Sequence, residues 1–84
     1  MLTGAQIRAA RAALGWSVIF LADRAGVAAK TISRFEEVDG VPPGRLSTMM
    51  DVRSALEAAG IEFIGGPGDR PGIRLGKPSG FDRA

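Results

Sequence analysis

The sequence contains no cysteine, no histidine and no tyrosine. Without cysteine the chain has no disulfide framework and no thiolate nucleophile. Without cysteine and histidine it also lacks the two commonest soft metal ligands. We therefore expect no metal site, no cofactor and no covalent chemistry.

Long apolar runs are also missing. No stretch approaches the roughly 18 to 20 apolar residues that a helix needs to cross a bilayer, and residues 1–6 lack the basic region and apolar run of a targeting segment. We expect a soluble, cytoplasmic protein that has no membrane partner.

The size and charge of the chain limit the classes of protein to which it could belong, but they do not decide among them. Its 84 residues suffice for one small domain. Such a domain buries only about 60% of the surface that its unfolded chain exposes, so we expect support from dimerisation or a partner. A formal net charge of +2 permits a polyanionic partner without requiring one.

The patterns typical of enzymes are weak. Gly65-Gly66-Pro67-Gly68 is neither a dinucleotide fingerprint nor a P-loop, because it has no strand-to-helix context and no following Gly-Lys-Ser/Thr. We interpret it as a turn. Asp51 and Glu57 lie six residues apart on one predicted helix, a spacing that does not place them side by side. We predict that the protein is not an enzyme.

Apolar residues at helical spacing predict four helices before residue 60. Thr3 caps a first helix that ends at Gly15, and Ser17 caps a short second helix that ends at Gly26. The third helix is predicted over residues 28–37, and the fourth begins after a loop with two prolines and two glycines over residues 38–44.

The same spacing predicts the core and the end of the fourth helix. Trp16 is expected to anchor the core, and Gly60 to be the last C-cap. The core residues of the second and third helices are Leu21, Ala22, Ala25, Val27, Ile32 and Phe35. The inward residues of the fourth helix are Leu46, Met49, Val52, Leu56 and Ala59.

Two short, partly alternating apolar stretches follow, at residues 61–64 and 73–75. They predict a β-hairpin, which should pack on the fourth helix or pair with a second chain because an isolated hairpin is marginal in water. The predicted fold class is mainly α. A four- to five-helix helix-turn-helix domain spans residues 1–60, a short β-hairpin for packing or dimerisation spans 61–75, and a disordered tail spans 76–84.

The second and third predicted helices, joined at a glycine, form the pattern of a helix-turn-helix. In such a motif the later helix, here the third of the chain, can enter the DNA major groove. Residues 2–45 resemble the Xre or Cro-like, phage-repressor type regulators, and the tail also looks like that of small bacterial members. The shared residues are Gln6-Ile7-Arg8-x-x-Arg11, Leu14-Gly15-Trp16-Ser17, Leu21-Ala22-x-x-Ala25-Gly26-Val27 and Thr31-Ile32-x-Arg34-Phe35-Glu36.

The resemblance implies a repressor-like fold and a sequence-specific transcriptional regulator, a homodimeric repressor that reads an inverted repeat in double-stranded DNA with the helix at residues 28–37. The DNA-binding residues that it implies are Ser17, Ala29, Lys30, Thr31, Ser33, Arg34 and Arg45. The alternative for each is an ordinary solvated side chain. Dimer contacts would come from the fourth helix, the hairpin or both. The resemblance also implies a partly buried ion pair between Arg11 and Glu36.

The second helix departs from the family pattern. Family members commonly carry glutamine after the position of Ser17 and glutamate near Phe20, where this chain has Val18 and Phe20, and Ala28 replaces the usual serine or threonine cap. Val18, Ile19 and Phe20 cannot all point inward on one short helix. Either the fourth helix or the hairpin covers Ile19 and Phe20, or the exposed side chains mark a protein contact.

This departure supports a second hypothesis from a different class. In it the domain is a helix-turn-helix-derived interaction module, an antiactivator or adaptor, that binds a transcription factor through Val18, Ile19 and Phe20. The modest net charge is compatible with either hypothesis.

Overall fold

A computed structural model describes residues 1–76 of the chain. They form four helices, namely α1 (Gly4–Leu14), α2 (Val18–Ala25), α3 (Ala29–Glu36) and α4 (Leu46–Ala58), followed by strands β1 (Ile61–Ile64) and β2 (Gly72–Leu75). The predicted fold class, mainly α with a short C-terminal β-hairpin, is confirmed. The predicted disordered tail at 76–84 lies outside the described residues except for Gly76. None of the described helices is long and apolar enough to cross a membrane.

Side-chain caps start the first two helices, as predicted. Thr3 Oγ1 accepts a hydrogen bond of 3.1 Å from the Gln6 amide, and Gln6 Oε1 accepts one of 2.9 Å from the Thr3 amide. This reciprocal pair is a capping box. Ser17 Oγ accepts a hydrogen bond of 3.0 Å from the backbone amide of Phe20 at the start of α2.

The helix ends follow the glycines, with one correction. Gly15 and Gly26 adopt left-handed φ angles of 68° and 71° and end α1 and α2. Ala28, at the N-cap of α3, makes no side-chain cap hydrogen bond. The prediction that Gly60 is the cap of α4 was wrong by one residue, because the helical backbone conformation ends at Ala58 and Ala59 is the C-cap, whose amide donates to the Leu56 carbonyl oxygen three residues back.

A single core joins the helices to the hairpin. The buried apolar residues are Leu2, Ile7, Ala10, Leu21, Ala22, Ile32, Phe35, Met49, Val52, Leu56 and Ile61. Trp16, Ala25 and Val27 are half-buried against this core rather than enclosed in it. The prediction for Leu46 was wrong, since its side chain is 59% exposed. Leu46 begins α4, and burial starts only at Met49, in the turns that pack on α2 and β1.

The hairpin packs within its own chain. β1 and β2 are antiparallel, with Ile61 opposite Leu75 and Ile64 opposite Gly72. β1 lies on α4, as predicted, and β2 lies on α1. The buried Gln6 Nε2 donates to the carbonyl oxygens of Ile64 and Gly72 at 3.3 and 2.9 Å. This amide therefore ties the start of the chain to its C-terminal hairpin.

Candidate nucleic-acid interface

The outer face of α3 is polar and basic. Lys30, Ser33 and Arg34 are exposed on it, and Ala29 and Thr31 are half-buried at its edges. The opposite face is buried in the core. All five α3 residues that the sequence singled out therefore lie on or beside one solvent-facing surface, which we call the α3 face.

A groove of about 290 Å³ runs between α3 and the start of α4. Its lining residues are Thr31, Arg34, Phe35, Pro43, Gly44, Arg45 and Thr48. Arg45 is the N-cap of α4 and is exposed. The fold thus brings the guanidinium-bearing Arg34 and Arg45 to one groove from two different helices.

The cations of this surface are free to meet an external anion. The four ion pairs within residues 1–76 involve other cations, so no described carboxylate lies within 4 Å of the charged group of Lys30, Arg34 or Arg45. Ser17 lies outside the groove, at the N-cap of α2. Its Oγ accepts from a backbone amide, which leaves the hydroxyl proton available to donate.

A partly buried ion pair holds α3 against α1. Arg11 Nε and Nη2 donate to the two carboxylate oxygens of Glu36, each at 2.8 Å, and Arg11 Nη1 donates to the carbonyl oxygen of Trp16 at 3.0 Å. The hydrogen bond to Glu36 raises the pKa of Arg11, burial opposes this rise, and the charge of Glu36 adds to it. The ion pair implied by the resemblance is confirmed.

Arg8 also contacts this end of α3 and the loop after it. Its guanidinium donates to the carbonyl oxygens of Glu36 and Val38 and to the carboxylate of Asp39. Sequence reasoning missed this role. The available signal was spacing, because Arg8 lies three residues before Arg11 and so shares its helix face.

The apolar side chains at the start of α2 are exposed. Val18 is half-buried against the core, whereas Ile19 is 73% and Phe20 is 43% exposed. The interpretation that α4 or the hairpin covers Ile19 and Phe20 was wrong, because α4 packs on the side of α2 that carries the buried Leu21 and Ala22. The alternative expectation, that large apolar side chains are exposed here, is confirmed.

Phe20 forms a cluster with Trp16 and with an arginine that the sequence reasoning missed. The rings of Trp16 and Phe20 meet edge to face, with centroids 4.8 Å apart. The Cζ atom of Arg24 lies 6.0 Å from the Trp16 centroid and 5.4 Å from that of Phe20. We call Trp16, Ile19, Phe20 and Arg24 the α2 patch. Aromatic residues and arginine are enriched in protein interfaces.

Comparison with known proteins adds no assignment. No protein-family model matches the sequence, and no curated protein matches it. Within the part of the chain that the structure describes, no three metal-ligating side chains are grouped to hold an ion. The function is therefore argued from the α3 face, the adjoining groove and the α2 patch.

Proposed function

We propose that the protein is a sequence-specific DNA-binding transcriptional regulator that reads double-stranded DNA with α3. The observation that carries this proposal is the α3 face, with Lys30 and Arg34 one helical turn apart and Arg45 across the groove. Arginine and lysine donate to guanine O6 and N7 in the major groove, and both also bind backbone phosphates.

The side chains divide into two groups by their position. Those on the α3 face meet base edges, and those at its margin or on neighbouring helix caps meet the phosphate backbone. The residues of the first group are Lys30, Ser33 and Arg34, with Ala29 at the edge that does not line the groove. The residues of the second group are Ser17, Thr31 and Arg45. Phosphate contacts fix the register of the protein on the DNA, so that α3 enters the DNA major groove in one orientation.

The regulator acts as a homodimeric repressor on an inverted repeat. α3 has eight residues and is therefore about 12 Å long, so one copy spans only a few base pairs. Two copies related by a two-fold axis would read half-sites about 34 Å apart. The exposed Leu46 and Met50 of α4, or Leu75 of the hairpin, offer apolar surface for the dimer contact.

Retention of genomic duplex fragments tests this proposal. The wild-type chain should enrich one inverted repeat, with an affinity that falls steeply as salt rises because phosphate counterions are released on binding. Lys30→Ala/Arg34→Ala should lose the enrichment. Arg74→Ala is the control, because it removes an exposed charge from the hairpin. Unchanged enrichment by the double variant would show that α3 does not read the DNA.

A second candidate function rests on the α2 patch. Ile19 and Phe20 are large, apolar and exposed, and Arg24 stacks beside two aromatic rings. In this candidate the domain is an antiactivator or adaptor that binds a transcription factor through Val18, Ile19 and Phe20. Exposed clusters of this composition are typical of protein contact sites.

The variant Phe20→Glu distinguishes this protein-binding function from the DNA-binding function. Glutamate at the third position of α2 completes a capping box with Ser17, so the helix should persist. A transcription factor that co-purifies with the chain should be lost in Phe20→Glu and retained in Val41→Glu, which alters a similarly exposed apolar residue (41% against 43%) in the loop before α4. Normal retention of the factor by Phe20→Glu would count decisively against the candidate.

A further inference from the structure

The carboxamide side chains of this protein are not available for reading adenine. The whole sequence contains no asparagine and a single glutamine, Gln6. In the major groove, asparagine and glutamine each make two hydrogen bonds to adenine, one to N7 and one to the N6 amine. Gln6 is buried, its Oε1 accepts from the Thr3 amide, and its Nε2 donates to the carbonyls of Ile64 and Gly72. Its amide is therefore committed to the fold.

The α3 face offers donors in the place of carboxamides. Lys30 and Arg34 are four residues apart on one helix face, so about 6 Å separates them along the axis. That distance is close to two base-pair steps of about 3.4 Å each. Neither cation is paired with a carboxylate of residues 1–76. Both side chains can donate and cannot accept.

Guanine is the base that satisfies such donors best. It shows two acceptors, N7 and O6, in the major groove, whereas adenine and thymine each show one and cytosine shows a donor. A guanidinium or ammonium group opposite adenine or thymine would leave a desolvated donor without a partner, which is costly. The match therefore favours one guanine for each of the two cations.

The other side chains of the face do not restore recognition of adenine. Ser33 carries one hydroxyl, which can donate or accept a hydrogen bond and therefore does not discriminate between base edges. Glu37, exposed at the C-cap of α3, is an acceptor that suits the cytosine N4 amine. Opposite adenine, the same carboxylate would also face the N7 lone pair, and two acceptors repel each other. Ala29 offers only apolar contact to a thymine methyl group.

We infer that the half-site read by α3 is rich in G·C pairs, with two guanines one or two base pairs apart, opposite Lys30 and Arg34, as its main determinants. This inference rests on the proposed DNA-binding function and adds the base chemistry of the operator. It follows from the juxtaposition, on one helix face, of two cations that pair with no carboxylate of residues 1–76, in a chain whose only carboxamide is buried.

Selection from a random duplex pool of equal base composition tests the inference with the full chain. The enriched half-site should contain two invariant guanines at the stated spacing. A half-site whose invariant core consists of A·T pairs would overturn the inference while supporting the proposed function. No enrichment of any sequence would contradict the proposed function itself, and the inference would fall with it.

Base analogues in the selected duplex test the contact atoms without altering the protein. Replacing either guanine by 7-deazaguanine removes the N7 acceptor and keeps the base pair, and should weaken binding about ten-fold at each of the two positions. Inosine is the control, because it removes only the minor-groove amine and should leave affinity unchanged. Loss with inosine and none with 7-deazaguanine would overturn the inference, since it would place the reading in the minor groove.

A substitution at Arg34 links one of the two guanines to its residue. Arg34→Gln supplies the carboxamide that the α3 face lacks, at an exposed position where the fold should tolerate it. The variant should shift the preferred base from guanine to adenine at one position and leave the guanine opposite Lys30 unchanged. An unaltered preference at both positions would contradict the assignment of Arg34 to a base.

Discussion

Arg11 on α1 and Glu36, the last residue of α3, are joined by two parallel hydrogen bonds of 2.8 Å each. Both side chains are mostly shielded from solvent, with 24% of Arg11 and 8% of Glu36 exposed. Arg8 donates to backbone carbonyl oxygens at the same helix end. Two arginines of α1 therefore set the direction in which α3 presents its outer face.

Arg11→Ala should lower the free energy of unfolding by about 2 to 3 kcal/mol, because the Glu36 carboxylate would remain buried without its partner. Urea denaturation measures the change. The control is Glu57→Gln, which breaks an exposed pair with Arg53 on α4 and should cost no more than about 0.5 kcal/mol. Equal losses in the two variants would contradict a structural role for the Arg11 pair.

Gly4→Ala should destabilise the protein by more than about 2 kcal/mol, because the added methyl group overpacks a close backbone contact. A Cβ atom at Gly4 would lie 2.0 Å from the carbonyl oxygen of Val38 and 2.2 Å from that of Phe35, so the backbone would have to separate. Gly40→Ala, where a Cβ meets open space, should be nearly neutral in the same thermal melt. If Gly4→Ala melted at the same temperature as the wild-type chain, α1 would not approach the carbonyl oxygens of Phe35 and Val38 so closely.

Gln6→Glu should release the hairpin while sparing α1. Glutamate can still accept from the Thr3 amide in the capping box. In its ionised form, however, it cannot donate to the carbonyls of Ile64 and Gly72, and it would hold a buried charge against both oxygens, at a cost of more than about 2 kcal/mol. Hydrogen exchange should show lost protection in β1 and β2 and retained protection in α1. Uniform loss across the chain, or none, would rule out this specific link.

Ala28→Ser should stabilise the protein by about 0.5 to 1 kcal/mol, because it supplies the side-chain cap that α3 lacks. Ser17→Ala removes the corresponding cap of α2 and should shift the denaturation midpoint in the opposite direction. If Ala28→Ser left the midpoint unchanged, the start of α3 would already be satisfied in another way.

Local signals carried most of the sequence-based prediction of the fold. Thr3 and Ser17 were identified as caps because cap chemistry acts within three residues, and Gly15 and Gly26 as helix ends because the left-handed conformation favours glycine. Leu46 was placed wrongly in the core, because helical spacing defines a face of α4 but not where its neighbours begin to cover it.

Long-range contacts were harder to predict. In the sequence Gln6 and Arg8 stand out only as parts of a motif, yet the partners of Gln6 lie 58 to 66 residues away and those of Arg8 lie 28 to 31 residues away. Arg45 and Arg34 were named separately, and only the folded chain places them on one groove. The exposure of Ile19 and Phe20 depends on which side of α2 receives α4, and the pattern of α2 alone left that open.

Discrimination between two duplexes tests the central claim, that the outer face of α3 reads DNA sequence, most directly. Binding of the wild-type chain and of Lys30→Ala/Arg34→Ala would be measured at one salt concentration, on the enriched repeat and on a shuffled duplex. The wild-type chain should prefer the repeat by at least about 10³-fold. The double variant, still folded by circular dichroism, should bind both duplexes with equal, weak affinity. A double variant that keeps the wild-type preference would contradict the claim.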